Sequence, residues 1–362
     1  MRTGTADLPL HSGRAPRWLF QRMTKLAAEV VELIVLEEGV DGFFGRLSDP
    51  GWFQAFGCVL GFDWHSSGLT TTTCGAIKEG LRGRETELGL FAAGGKGNAS
   101  RRTPEEIVAW CERTGQAADP LVAASRISAK VDSAAIQDGY QIYHHAFFFD
   151  RGGAWAVVQQ GMNDETGMAR RYHWTSPAVE DFVCEPHAAI CCDRRAPTLN
   201  LVARDSTASR TATADLARER PIRIVTELVN LRHLALPKRH DIRAVDIAPD
   251  RLGAILTKTY EAQAATFQEL LMLPGVGAKT LRALALVAEL VYGAAPSYED
   301  PARFGFAHGG KDGIPFPVDR TTYDGTIDLL ARAVRRAKLG EAEEVRALRR
   351  LDATFSAAPS KG

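Results

Sequence analysis

The chain lacks any apolar run of the roughly 18 residues that a membrane-spanning helix needs. Its opening, MRTGTADLPLHSGRAP, lacks the apolar core of an export signal. These two absences make a cytoplasmic protein, with no membrane partner, the expectation. An excess of one charge is also missing: 44 Lys and Arg face 44 Asp and Glu. A nucleic-acid binder of this composition must therefore gather its positive charge locally. Cysteine is scarce, with Cys58, Cys74, Cys111, Cys184, Cys191 and Cys192 spread over 362 residues, too thin for a secreted disulfide framework. Cys184, His187, Cys191 and Cys192 have soft-ligand spacing, but adjacent cysteines cannot easily both face one ion, so zinc is not expected. GGKGN, at 94–98, lacks the spacer and the Ser or Thr of a phosphate-binding loop, which argues against a nucleotide cofactor.

What is present is a glycine-lined corner. From Leu273 to Tyr292 the chain reads LPGVGAKTLRALALVAELVY. Phe267, Leu270, Leu271 and Leu273 upstream, and Leu281, Leu284, Ala285, Ala288 and Val291 downstream, recur at helical spacing, so each helix has one apolar face. Gly275 and Gly277 lie between, where a tight reversal of packed helices calls for positive φ. Amides around Gly275, Val276, Gly277, Ala278, Lys279 and Thr280 can then reach a phosphate at the N-terminus of the second helix, with Lys279 adding charge. DNA, held by its backbone through an element at 262–293, is the expected partner. Local basic runs flank that element. Arg218, Arg220, Arg223, Arg232, Lys238, Arg239 and Arg243 form one, and Arg332, Arg335, Arg336 and Lys338 the other, with Arg335 and Arg336 taken as DNA contacts. A homodimer, pairing two such corners on a duplex, is a further expectation.

At 362 residues, 45% of them hydrophobic, the chain is long enough for two or three domains with sizeable cores. Patterning divides it into an N-terminal α+β domain over 1–210, with mixed helices and an antiparallel sheet, and an all-α domain over 211–362. WLFQRMTKLAAEVVELIVLEEGV reads as a long amphipathic helix stopped by Gly39, and a second helix is expected within DPGWFQAFGCVLGF. A third opens at Thr103 with Glu106 at capping-box spacing. Tyr140 to Phe149 and Trp155 to Gln160 form a β-hairpin, and ARRYHWT adds a third strand.

Catalytic groups, if any, belong to the N-terminal part. GFDWHSSGLTTTTCGAIKEGL gathers Asp63, His65 and Glu79 around a loop that leads into a helix near Cys74. Lys130, Asp132 and Asp138 precede the strand carrying His144 and His145, which alternation sends to opposite faces. Metal-assisted phosphodiester hydrolysis needs oxygen ligands for Mg²⁺ or Mn²⁺ and a base. Asp132 and Asp138 are the expected ligands, with Asp63, His65, Glu79 and His145 as further catalytic candidates.

Four segments carry a wider resemblance: RTGTADLPLHSGRAPRWLFQRM, TTTTCGAIKEGL, DGYQIYHHAFFF with AWAVVQQGMN, and DPARFGFAHGGKDGIPFPVDRTTYD. Together they resemble the bacterial and archaeal domain of unknown function 763 family. The resemblance implies a helix-hairpin-helix, DNA-associated protein of the nuclease kind. The corner is also similar to that of helix-hairpin-helix DNA glycosylases with lyase activity. That second likeness implies a Schiff-base lysine at Lys279 and a carboxylate at Asp319. The insert SYEDPARFGFAHGGKDGIPF and Arg320-Thr321-Thr322 depart from its pattern.

Overall fold

A computed structural model describes residues 16–62, 67–192, 195–231 and 249–302, with 328–330, 332, 334, 335 and 347–349. Helix α1 (Arg17–Ser48) bends at Gly39, which adopts φ 74 and ψ 178 before the helix resumes, so this glycine kinks the helix instead of ending it. Asp49 caps α2 (Pro50–Leu60) by accepting from the Gly51 and Trp52 amides at 2.8 and 3.1 Å. Helix α3 (Gly68–Leu81) begins earlier than the sequence suggests, so that its four threonines lie inside it. It is followed by α4 (Glu85–Leu88), α5 (Asn98–Arg101), α6 (Thr103–Thr114) and α7 (Asp119–Lys130), the last continuing into a π-helical turn at Val131–Ala135.

Five strands form one antiparallel sheet, in the order β1 (Leu90–Lys96), β3 (Gln141–Asp150), β4 (Trp155–Asn163), β5 (Met168–Thr175), β6 (Ala189–Cys191). A two-stranded sheet pairs β2 (Ile136–Gln137) with β7 (Leu199–Asn200). The fold is α+β, as the patterning predicts. Strands β3, β4 and β5 lie where expected, while β1 and β6 are additional. Four of the seven residues of LFAAGGK are alanine or glycine, which carry little β propensity, and β6 is only three residues long.

Both faces of the sheet are covered by helices. Leu90, Ala92, Ala146, Phe148, Ala156 and Val158 join the apolar cluster of α1, α2 and α3. Phe91, Ala93, Phe147, Phe149, Val157, Tyr172 and Trp174 join a second cluster with α6, α7 and the later helices. Those are α8 (Thr207–Ala217), α9 (Pro221–Leu231), α10 (Pro249–Ala262), α11 (Phe267–Met272) and α12 (Ala278–Tyr292). Residues on either side of position 210 share this second cluster, and Leu329, Leu330, Val334 and Ala347 return to the first. No helix among the described residues is long and apolar enough to cross a membrane.

The GGKGN segment has a structural purpose. Gly94 has φ +84, and a Cβ there would stand 2.2 Å from the His145 carbonyl oxygen and 2.5 Å from Thr103 Oγ1. Glu106 does not close a capping box with Thr103. Its Oε2 accepts from the Gly94 amide at 2.9 Å and from Lys78 Nζ at 2.5 Å, and Lys78 also donates to the Gly94 carbonyl at 2.8 Å. Gly94→Ala combines forced strain with a backbone clash, so it should cost about 3 kcal/mol or more of unfolding free energy. Urea denaturation measures this, and a loss below about 1 kcal/mol would contradict the account.

Candidate nucleic-acid interface

Helix α11 starts from Thr266, whose Oγ1 accepts from the Glu269 amide at 3.2 Å, and α12 follows it after the Leu273–Gly277 corner. Leu270, Leu271, Leu281 and Leu284 are wholly buried, which fixes the two helices against the body. Gly275 has φ +90, as the reversal requires. Gly277 does not: it is extended at φ −144, so its value lies in the absent side chain and not in its torsion. Pro274, Gly275 and Lys279 are exposed, Gly277 and Ala278 half-buried, and Val276 and Thr280 buried.

Two side chains pin the carbonyls of this corner. Lys130 Nζ donates to the Val276 carbonyl at 2.6 Å, and Gln137 Nε2 donates to the Ala278 carbonyl at 2.8 Å. Arg282 Nε in turn donates to Gln137 Oε1 at 2.7 Å. No peptide bond among the described residues is cis. In a trans peptide the N–H points opposite to the C=O. With the Val276 carbonyl turned toward Lys130, the Gly277 amide points away from the Lys130 ammonium. Gly277 is the N-cap of α12 and supplies no side-chain cap, and the first hydrogen bond of the helix is Leu281 N–H to the Gly277 carbonyl at 3.0 Å. The donors of the first turn thus have no intrahelical acceptor.

Lys130 and Gln137 bracket the π-helical turn that carries Asp132, and a buried polar layer lies under it. Asp132 Oδ2 accepts from Gln159 Nε2 at 2.5 Å and Trp174 Nε1 at 2.9 Å, while Oδ1 meets His187 Nε2 at 2.5 Å. Because the Gln159 amide nitrogen donates to Asp132 and to the Ser128 carbonyl, its oxygen must accept, which makes His145 Nδ1 the donor at 2.9 Å. His145 Nε2 then accepts from Ser125 Oγ at 2.9 Å. The order Ser125, His145, Gln159 has the donor logic of a nucleophile and its base, yet Ser125 and His145 are sealed inside the protein. Burial raises Asp132 above the usual carboxylate range, against the opposing pull of His187 and Trp174.

Asp138 occupies a separate set of contacts. It accepts from Arg170 Nη1 at 2.8 Å, Tyr172 Oη at 2.6 Å and the Tyr140 amide at 3.0 Å, and Arg170 Nη2 continues to Asp300 at 2.7 Å. Asp132 and Asp138 are therefore not arranged as a shared ligand pair for a divalent cation. Each is surrounded by hydrogen donors, and a guanidinium already balances Asp138. Glu79 lies elsewhere, on the outer side of α3, with Arg82 at 2.9 Å. Asp63, His65, Arg336 and Asp319 lie outside the described residues. Arg335 is exposed, and its neighbour Arg332 pairs with Glu37 at 2.8 Å. In the other basic run, Arg218 pairs with Asp215, and Arg223 with Glu219 at 3.2 Å. His187 is committed to Asp132, and Cys192 Sγ lies 3.3 Å from Tyr140 Oη.

Several members of the polar layers were not singled out from sequence: Ser125, Arg170, Tyr172 and Trp174 on one face of the sheet, and Arg171 and His173 on the other. The one available signal was the density of charge and imidazole in ARRYHWT. There, His144, Gln160 and Arg171 share one cross-strand row, as do His145, Gln159 and Tyr172 on the opposite face. This confirms that His144 and His145 diverge. Arg171 Nε donates to His173 Nε2 at 2.8 Å, and the Leu47 carbonyl lies 2.7 Å from His173 Nδ1.

Burial pushes His144 down to about 3 and His145 to about 4, and holds His173 well below the usual imidazole value. An unfolded chain takes up these protons near 6.5, whereas the folded one resists until far lower. Stability from this source is complete above about pH 6.5 and is lost as pH falls toward the folded values. His144 has no partner on either ring nitrogen among the described residues. His144→Leu should hold its stability at pH 7 and show a shallower decline between pH 6.5 and 4.5. Thermal unfolding of the two proteins across that range isolates His144, since Asp132 and Asp138, which burial shifts in the other sense, are common to both. Parallel curves would contradict the assignment.

No curated protein and no solved structure matches the chain. The family described as "Protein of unknown function (DUF763)" matches residues 4–318, and the chain belongs to it.

Proposed function

We propose that this protein holds DNA by its sugar-phosphate backbone, with the α11–α12 corner acting as a helix-hairpin-helix. The observation that carries the reading is the Gly277 amide, turned away from the Lys130-bound Val276 carbonyl. It sits at an uncapped helix N-terminus beside exposed Gly275 and Lys279, with the neighbouring carbonyls tied back by Lys130 and Gln137. Such a corner offers N–H donors and partial positive charge to a phosphate oxygen and reads no base edge.

In this reading the buried acids are supports. Asp132 fastens the turn whose two flanking side chains orient the corner, so no catalytic step is assigned to Asp132, Asp138 or His145. A nuclease using Mg²⁺ or Mn²⁺, or a lyase using Lys279, would be an addition to the binding role. Oligonucleotide cleavage with those cations, and borohydride trapping on abasic DNA, are the assays that would add it. Binding itself is tested by fluorescence anisotropy on duplexes of unrelated sequence. Affinity should be alike across sequences and fall steeply with salt, by about 0.9 in log K per log salt for each phosphate neutralised. Salt-independent binding, or a strong preference for one sequence, would remove the proposal.

A further inference from the structure

We propose that the open edge of β1 is a binding groove for an extended peptide segment bearing acidic side chains. β1 is the last strand of its sheet, paired on one side only with β3. Across the β3–β4 turn, the Asp150 amide donates to the Ala154 carbonyl at 3.0 Å. Backbone polar groups alternate along a strand, so Phe148 and Ala146 also turn theirs toward β4. Their β1 partners, Ala92 and Gly94, accordingly turn theirs away from the sheet. At Gly94 those outward groups are already served, with Glu106 taking the N–H and Lys78 giving to the carbonyl. This ion pair stands where the peptide of a next strand would stand and protects that part of the edge.

One pleat away, no side chain among the described residues does the same for Ala92. A groove of about 460 Å³ opens there, with Ala92 as its only strand residue, α3 on one wall and α6 on the other. Lys78 and Arg82 come from α3, and Arg102, Trp110 and Arg113 from α6 and its N-cap. Of the groove's three carboxylates, Glu79 and Glu106 are matched by Arg82 and Lys78, and Glu85 accepts from the Gly83 amide at 2.7 Å. Arg102 and Arg113 are exposed and have no ion-pair partner among the described residues, Arg113 lying over the Trp110 ring at 4.2 Å. Lys78, Arg82, Arg102 and Arg113 outnumber Glu79, Glu85 and Glu106, so the net charge of the groove is positive, and its floor presents one strand N–H and one C=O. An extended peptide satisfies both by strand addition, and its acidic side chains meet the two guanidinium groups. A single-stranded nucleic acid would also meet the arginines, but it has no use for a strand edge.

The probe is the capped peptide Val-Glu-Val-Glu-Val, titrated onto the full chain alongside its Val-Lys-Val-Lys-Val counterpart and a backbone N-methylated acidic version. The acidic peptide should bind at least roughly tenfold more tightly than either control and slow hydrogen exchange at the Ala92 amide. Arg102→Glu with Arg113→Glu, both at exposed positions, should abolish the preference for acidic over basic peptide while leaving the circular dichroism unchanged. Three results would overturn the proposal: no saturable binding at millimolar acidic peptide, equal binding after N-methylation, or displacement of the peptide by a single-stranded oligonucleotide that leaves Ala92 exchange unaffected.

Discussion

Gly277→Asp should weaken duplex DNA binding on the order of a hundredfold at low salt without unfolding the protein. The backbone at Gly277 is extended, which any residue adopts, and a Cβ there meets nothing within 4 Å. Aspartate is moreover a preferred N-cap, so its carboxylate should accept from the first-turn amides of α12 and hold or slightly raise the melting temperature. The same carboxylate occupies the donors that the phosphate needs and repels it. A stable protein that has lost DNA is therefore the expected pairing of results. Unchanged affinity would separate the corner from the ligand, whereas joint loss of fold and affinity would contradict the geometry at Gly277.

Asp132→Ala carries the largest expected effect on stability, about 3 to 5 kcal/mol. The substitution removes the acceptor for the buried Trp174 and Gln159 N–H groups and the partner of His187, leaving several polar groups sealed without hydrogen bonds. Asp132→Asn, which keeps one oxygen, should lose less. Chemical denaturation gives both values. The consequence should extend to the corner, since the turn carrying Asp132 positions Lys130 and leads to Gln137. Lys130→Met and Gln137→Ala should accordingly reduce DNA affinity far more than they reduce stability, because each releases a carbonyl of the corner while leaving the buried layer intact. An Asp132→Ala protein as stable as the parent would show that the layer does not hold the turn.

The sequence showed the architecture most clearly where patterning is strong. Aromatic alternation identified β3 and β4, helical apolar spacing identified α11 and α12, and strand alternation placed His144 and His145 on opposite faces. It failed where tertiary contacts override local preference. Ala and Gly in β1 carry no strand signal, and Glu106 has the spacing of a capping residue but is drawn to the Gly94 amide and Lys78. At the site, the glycine corner was readable because the residue types are restrictive, although only Gly275 uses positive φ. The fate of the acids was not readable. Spacing brings Asp132 and Asp138 six residues apart, but which donors surround them depends on β4, β5 and the segments bearing His187 and Asp300, all distant in sequence. An acidic pair near a histidine looks the same in one dimension whether it holds a cation or a fold.

Hydrogen exchange followed residue by residue, with and without duplex DNA, tests the central claim most directly. The account predicts that DNA slows exchange at the amides of Gly277, Ala278 and Lys279, the first turn of α12, and that added salt reverses this together with binding. DNA bound with those amides still exchanging at their free rate would contradict it.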